Sequence, residues 1–196
     1  AFTPVSHGAI SLGTLSIDLN GGFVASAVKG TVGITGPVQA QSIFITGNHM
    51  NTGNLTATGA SSRGNAVNLF TSAGTSAIGM NIGNITAQAG GRVLVHTAGH
   101  GTGLLKVGNI TNALGSVSIS ANGNGGSATA GGLIHAGSIT AKEVVLRAVE
   151  PSGTITLGAI DATSAYAASM AVVGGLAVYV NAPNNNITMG GTKITA

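Results

Sequence analysis

Four carboxylates are all the acid this 196-residue chain carries: Asp18, Glu143, Glu150 and Asp161. Glycoside hydrolysis needs two positioned carboxylates, and polysaccharide lyases commonly need acidic Ca²⁺ ligands with an Arg or Lys base. Neither arrangement is present. Asp161 falls at an outward position of a short alternating phrase, and Glu143 and Glu150 flank one apolar run. Lys142 and Arg147 lie close to Glu143 in sequence, which predicts a solvated ion-pair cluster rather than an acid–base pair. His96 and His100, in HTAGH, invite a metal reading. Zinc wants three or four ligands with second-shell support, yet the chain has no Cys and no carboxylate near these histidines. His135, one repeat further on, is the remaining candidate, and the spacing predicts a strand-end and loop pair instead. Gly-rich runs such as NGNGG sit in loop sequence rather than in a strand-to-helix phosphate loop. The expectation is therefore no catalytic residue, no metal site and no cofactor: not an enzyme.

The elements that would position these residues are strands. Charged residues make up 6% of the chain, against about 25% in ordinary soluble domains. Glycine contributes 33 residues, more than double its usual share of about 7%. Thr, Val, Ile, Ser, Gly and Asn favour strands and turns over long helices. The formal charge of +3 arises from seven scattered basic residues, with no cluster and no interleaved aromatics, which speaks against nucleic acid as a partner. No apolar run is long and unbroken enough to predict a membrane span; residues 165–180 come closest and are interrupted by Gly174 and Gly175.

The chain restates itself about every 25 residues. Glycine opens each copy at Gly13, Gly36, Gly53, Gly83, Gly108, Gly137 and Gly158, with a degenerate copy at Gly191. The third position is Leu15, Val38, Leu55, Ile85, Ile110, Ile139 and Ile160, always aliphatic: a core ladder. The second and fourth positions carry an outward polar ladder of Asn54, Asn84 and Asn109 and of Thr56, Thr86, Thr111 and Thr140. The fifth is mostly Ala. Such period-two alternation is a strand with one buried face. The invariant glycine predicts a sharp corner or a positive φ.

A second strand follows in each copy, as in FVASA (23–27), SIFIT (42–46), RVLVHT (92–97), SVSISA (116–121) and VVLRA (144–148). A third apolar segment closes the unit, as in TVGIT, AIGMNI, GLLKV, GGLIHA and TITL. Insertions are expected between the second and third strands, as in NGNGGSATAGG (122–132). Three strands and three corners describe one coil of a β-solenoid. The expected fold is all-β: a single solenoid over residues 1–196, with regular coils over 13–190 and terminal segments at 1–12 and 191–196. About seven to eight three-stranded coils at 4.8 Å each would span about 35–40 Å. A coil cannot bury its inner face alone, so copies stack residue upon like residue, and a charged column would repel itself at that spacing. The low charge follows from the fold. Asn columns are expected to join their amides along the axis.

The phrases GNLTATG (53–59), GNITAQAGGRVLVHTAG (83–99), GNITNALGSVSISANG (108–123) and HAGSITAK (135–142) resemble the repetitive shaft of filamentous-haemagglutinin-type adhesins, the two-partner-secreted surface proteins of Gram-negative bacteria. The resemblance covers residues 36–162, and the NPNG/NPNL-type motif of that family's secretion domain is not found. It implies a right-handed parallel β-helix and an extracellular or outer-cell-surface location. It also implies a role in cell adhesion, aggregation or matrix building. The partners expected are neighbouring coils or identical subunits end to end, with surface glycans or host and matrix receptors beyond them. A self-assembling filament or sheath subunit is the alternative. A third reading takes the outward Thr file as a water-ordering, ice-binding surface.

Overall fold

Alternating β-branched residues on one side of short strands demand a neighbour to cover them, and here each strand is covered by its own repeat. The computed structural model describes residues 5–6, 8–16, 20–71, 79–98, 104–122, 133–148, 154–162, 178–181, 186–189 and 194–195. Among them the chain is all-β. A single 20-stranded sheet curls around a common core, and every pairing is parallel, the arrangement of a β-solenoid.

Three files of strands make up this sheet. In the first, Leu15, Val38, Leu55, Ile85, Ile110, Ile139 and Ile160 lie opposite one another in unbroken register, and Ile194 extends the file. From Val38 to Ile160 none of these side chains is more than 1% exposed. The copy aligned from Gly191 is offset by one residue, since Ile194 rather than the third residue of that phrase meets Ile160.

In the second file Phe23, Ile43, Val67, Val93, Val117, Val144 and Val178 stack. In the third, Ile10, Val32, Met50, Met80, Leu105, Ile134, Ile155 and Ile187 do so. The stack reaches beyond residues 13–190, because Val5–Ser6, Ile10–Leu12 and Ile194–Thr195 are paired strands as well. Each fully buried Ile or Val contributes about 1.5–3 kcal/mol by leaving water, and from Phe23 to Val144, from Ile10 to Ile155 and from Val38 to Ile160 the side chains of the three files belong to one core cluster.

The corners differ in kind. Between third and first strands the connection is short and repeats: only Gly83 and Asn84 separate Ile82 from Ile85, and only Gly108 and Asn109 separate Val107 from Ile110. Each copy is tied to both neighbours. Gly108 N–H donates to the Ile82 carbonyl at 3.0 Å, and Ile85 N–H donates to the Asn109 carbonyl at 2.9 Å.

At these sharp corners glycine is required by close stacking and not by a positive φ. Positive φ among the described residues occurs at Gly64, Gly90 and Gly91, none of them an opening glycine. The repeat glycines instead stack so closely that a Cβ on Gly83 would lie 2.7 Å from the Gly53 carbonyl carbon, and one on Gly108 would lie 2.5 Å from Asn84 Oδ1.

Length varies at both other corners. The expected insertion between second and third strands holds at 99–103 and 123–132, where one strand ends at Ala98 or Asn122 and the next begins at Leu104 or Leu133. The first-to-second corner varies equally: two residues separate Ala40 from Ile43, whereas nine separate Ala57 from Val67. Variable length was expected at one corner only. Both tolerate it because both leave the stacked register on either side intact.

One such insertion, Ala113-Leu114-Gly115, leaves Leu114 59% exposed. It coincides with Asn112, which replaces the usual Ala at the small inward position. Asn112 is buried, and its Nδ2 donates to the carbonyls of Gly91 at 3.0 Å and Ser116 at 2.9 Å. A polar side chain is tolerated there because those backbone acceptors face it.

Candidate functional site

Function, where a solenoid has it, sits on the outward residues of its faces and corners. The first face presents the file Ser16, Gln39, Thr56, Thr86, Thr111, Thr140 and Asp161. The four threonines are in register, with Gln39 and Asp161 bounding them. At the adjoining corner Asn84 N–H donates to Asn54 Oδ1, Asn109 N–H to Asn84 Oδ1 and Ser138 N–H to Asn109 Oδ1, each at 2.9 Å. An amide-to-amide ladder was expected at this column. The structure uses each side-chain oxygen to satisfy the next copy's backbone instead, which suits a corner whose N–H points along the axis. A side-chain amide pair does occur on the third face, where Asn81 Nδ2 donates to Asn51 Oδ1 at 2.9 Å.

The second face carries the most ionisable chemistry. Arg92, Ser116 and Glu143 stand in one file, Leu94, Ser118 and Val145 in the next, and His96, Ser120 and Arg147 in a third. Glu143 was expected in a solvated ion-pair cluster with Lys142 and Arg147. It is 5% exposed instead, because the corner from Ala141 to Val144 is so short that Glu143 already stands on the face, in the Arg92 file. Ser118 and Ser120 are buried too, while Arg92, His96 and Arg147 around them are half-buried. Desolvation pushes the Glu143 carboxyl above the usual carboxylate range, against the opposing pull of Arg92. Burial depresses His96, and the Arg92 charge adds to that depression.

A pH signature follows. A carboxyl with a raised folded-state pKa destabilises the fold above that pKa, and the cost disappears as pH falls towards the ordinary glutamate value near 4.3. His96 acts oppositely: its depressed pKa holds the folded ring neutral, so stability drops as pH falls from about 6.5 through the folded value. Glu143→Gln is thus expected to raise the urea midpoint at pH 7 and to match the parent near pH 4. Equal midpoints at pH 7 would show that the carboxylate carries no penalty.

Of the residues weighed for chemistry, Asp161 is exposed on the first face, Glu143 is buried on the second, and His135 lies on the third, opposite Lys106. His96 and His135 therefore occupy different faces and do not converge. Asp18, Glu150 and His100 lie outside the described residues. No group of three metal-ligating side chains is found among the described residues, and none of their elements is a helix able to cross a membrane.

No family model matches this chain, and neither does any curated protein or solved structure. Its outward surfaces must speak for themselves.

The third face went unread in the sequence. Its outward file is Gly33, Asn51, Asn81, Lys106, His135 and Thr156. An open groove of about 420 Å³ lies beside Asn51, Asn81 and Lys106 of this file, its lining completed by His49, Met50, Gly79 and Met80. A smaller one of about 240 Å³ lies on the second face beside Phe44, Arg63 and Asn65. Phe44 is 38% exposed, so an aromatic edge is available there.

Proposed function

We propose that this chain is a non-catalytic structural segment of an exported bacterial cell-surface fibre or adhesin. In this reading it is a right-handed parallel β-helix of about seven to eight three-stranded coils. The observation that carries the reading is the unbroken in-register ladder from Leu15 to Ile194. A chain that spends its regularity on stacking, and keeps only four acidic residues, is suited to being a shaft. Stacked coils propagate along one axis, each contacting only its neighbours, so length is added without redesigning the core. Outward corners of variable length then supply the contacts for adhesion, aggregation or matrix assembly. The low charge and lack of Cys suit a chain exported unfolded and folded outside the cell.

Assembly of identical subunits end to end into a filament or sheath is the neighbouring alternative. The ice-binding reading has less in its favour, because the Thr file is bounded by Gln39 and Asp161 and its companion corner carries Asn and Ser.

The test is display. Cells making the full-length gene product are treated with a protease that cannot enter them, and antibodies raised to this chain are applied to intact cells. Surface labelling that protease removes, with fibres visible by negative-stain microscopy, is the expected outcome. Labelling seen only after permeabilisation sinks the proposal.

A further inference from the structure

We infer that this chain pairs side by side with an antiparallel second molecule of itself, Leu114 of each molecule seating in a notch beside Phe44 of the other. The inference concerns a lateral surface, goes beyond the fibre reading and does not rest on it.

Among the described residues, Phe44 and Leu114 are the large hydrophobic side chains left exposed, at 38% and 59%. Both lie where the first face meets the second. Phe44 is an outward residue near the start of a second-face strand, and Leu114 tops the insertion that leads into another. Phe44, Asn68, Leu94 and Ser118 follow one another across paired strands. Three strand steps, about 14 Å in all, therefore separate the coil of Phe44 from that of Leu114. A single exposed apolar group is ordinary on a surface. Two on one edge, one raised and one in a hollow, are complementary.

The hollow is the notch of about 240 Å³ on the second face, with Val24, Ser42, Phe44 and Asn68 on the strands and Ser61 and Arg63 on a tight turn beside them. A cavity of about 150 Å³ already admits a benzene ring, so an isobutyl group fits. The turn is fixed. Gly64 N–H donates to the Ser61 carbonyl and Ser61 N–H to the Asn65 carbonyl, both at 2.8 Å, and Arg92 N–H donates to the Gly64 carbonyl at 2.9 Å from the next coil. The knob is fixed as well. Asn112 Nδ2 bonds to the Gly91 and Ser116 carbonyls, which closes the insertion at its base. The Leu114 carbonyl lies so near Gly90 that a Cβ there would come within 2.9 Å of its oxygen. Ordering both parts beforehand lowers the entropy cost of docking.

Symmetry selects the antiparallel arrangement. A parallel shift by three coils seats one knob and leaves the other hollow empty, an open contact that recruits further molecules. A two-fold axis across the solenoid, midway between the strands of Asn68 and Leu94, sets each Leu114 over the partner's Phe44. Both hollows are then filled, and the pairing closes at two molecules. The outward residues between knob and hollow, Asn68 and Leu94, are half-buried, so the faces can approach. Arg63 is exposed at the rim, where its long stem keeps the charge in water.

The test uses the purified 196-residue chain, which has no Cys of its own. Sedimentation equilibrium is expected to show monomer and dimer. Leu114→Ser is expected to raise the dissociation constant about a hundredfold, since each dimer loses two knobs at once. Its far-UV circular dichroism is expected to match the parent, because the side chain is exposed in the single molecule. The geometry is read by mixing a Leu114→Cys chain with a Ser42→Cys chain under mild oxidation. The mixed disulfide is expected. Neither chain alone is expected to cross-link, because like positions lie at least about 14 Å apart across the two-fold axis, beyond the roughly 7 Å between Cα atoms that a disulfide spans. The inference is overturned by a chain that stays monomeric up to about 1 mM, by a dimer that Leu114→Ser leaves unchanged, by a 114–114 disulfide, by failure of the mixed disulfide, or by open-ended fibres in place of dimers. None of these outcomes affects surface display, so the two proposals fail separately.

Discussion

Ile110→Asp is expected to abolish cooperative folding of the chain, whereas Ile110→Val is expected to cost only about 0.5–1.5 kcal/mol. Ile110 is 1% exposed and lies between Ile85 and Ile139 in the first file. Replacing it removes apolar contacts with the copies on both sides, a loss of about 2–5 kcal/mol for truncation alone. Placing a carboxyl in that column adds several kcal/mol more, whether it is buried as the anion or driven to protonate. Domains of this size are stable by about 5–15 kcal/mol, so the two effects together rival the whole. Stacked repeats are coupled only through nearest neighbours, so the damage concentrates at the two interfaces that Ile110 forms. Far-UV circular dichroism with urea titration reads the outcome, and amide exchange locates it. A cooperative transition for Ile110→Asp within about 1 kcal/mol of the parent would mean that the column is not core.

Much of this architecture was legible because repetition substitutes for an alignment. Columns read from seven phrases within one chain pick out Val38, Leu55, Ile85, Ile110, Ile139 and Ile160, and these side chains do meet in file. The fifth column foretold small inward residues, and its exception, Asn112, is the position where the backbone supplies acceptors.

What escaped reading has physical causes. Glu143 looked solvated because sequence neighbours suggested ion pairing, while its burial depends on residues of other copies, including Arg92, 51 positions earlier. The Lys106–His135 file is hidden in any single copy because each third segment is dominated by its apolar residues. Set in register, AIGMNI, GLLKV, GGLIHA and TITL bring Asn81, Lys106, His135 and Thr156 into one column. The glycines of the repeat were recognised, but distances between copies cannot be read from one copy, and those distances explain them.

That explanation makes an expectation of opposite sign at two glycines holding the same place in the phrase. Gly→Ala at a conformation Ala can adopt usually stabilises by about 0.4–1 kcal/mol, through a less free unfolded chain. Gly13 opens the first phrase, and a Cβ there meets nothing within 4 Å. Gly13→Ala is therefore expected to be neutral or slightly stabilising. Gly108 opens the fifth phrase, and its Cβ would lie 2.5 Å from Asn84 Oδ1 and 3.1 Å from both Asn84 N and the Gly83 carbonyl carbon. Asn84 Oδ1 cannot simply swing aside, since it accepts the Asn109 N–H at 2.9 Å. Nor can the backbone lift freely, since Gly108 N–H is held by the Ile82 carbonyl at 3.0 Å. Overpacking of this kind costs about 1–3 kcal/mol, and a lost hydrogen bond adds about 1 kcal/mol. Gly108→Ala is expected to lower stability by about 2–4 kcal/mol in all, measured by urea denaturation beside Gly13→Ala. Equal effects at the two sites would return the glycines to an ordinary turn requirement. A loss at Gly108 alone identifies the close stacking of successive corners as what the repeat preserves, and explains why the phrase keeps glycine while its outward residues change.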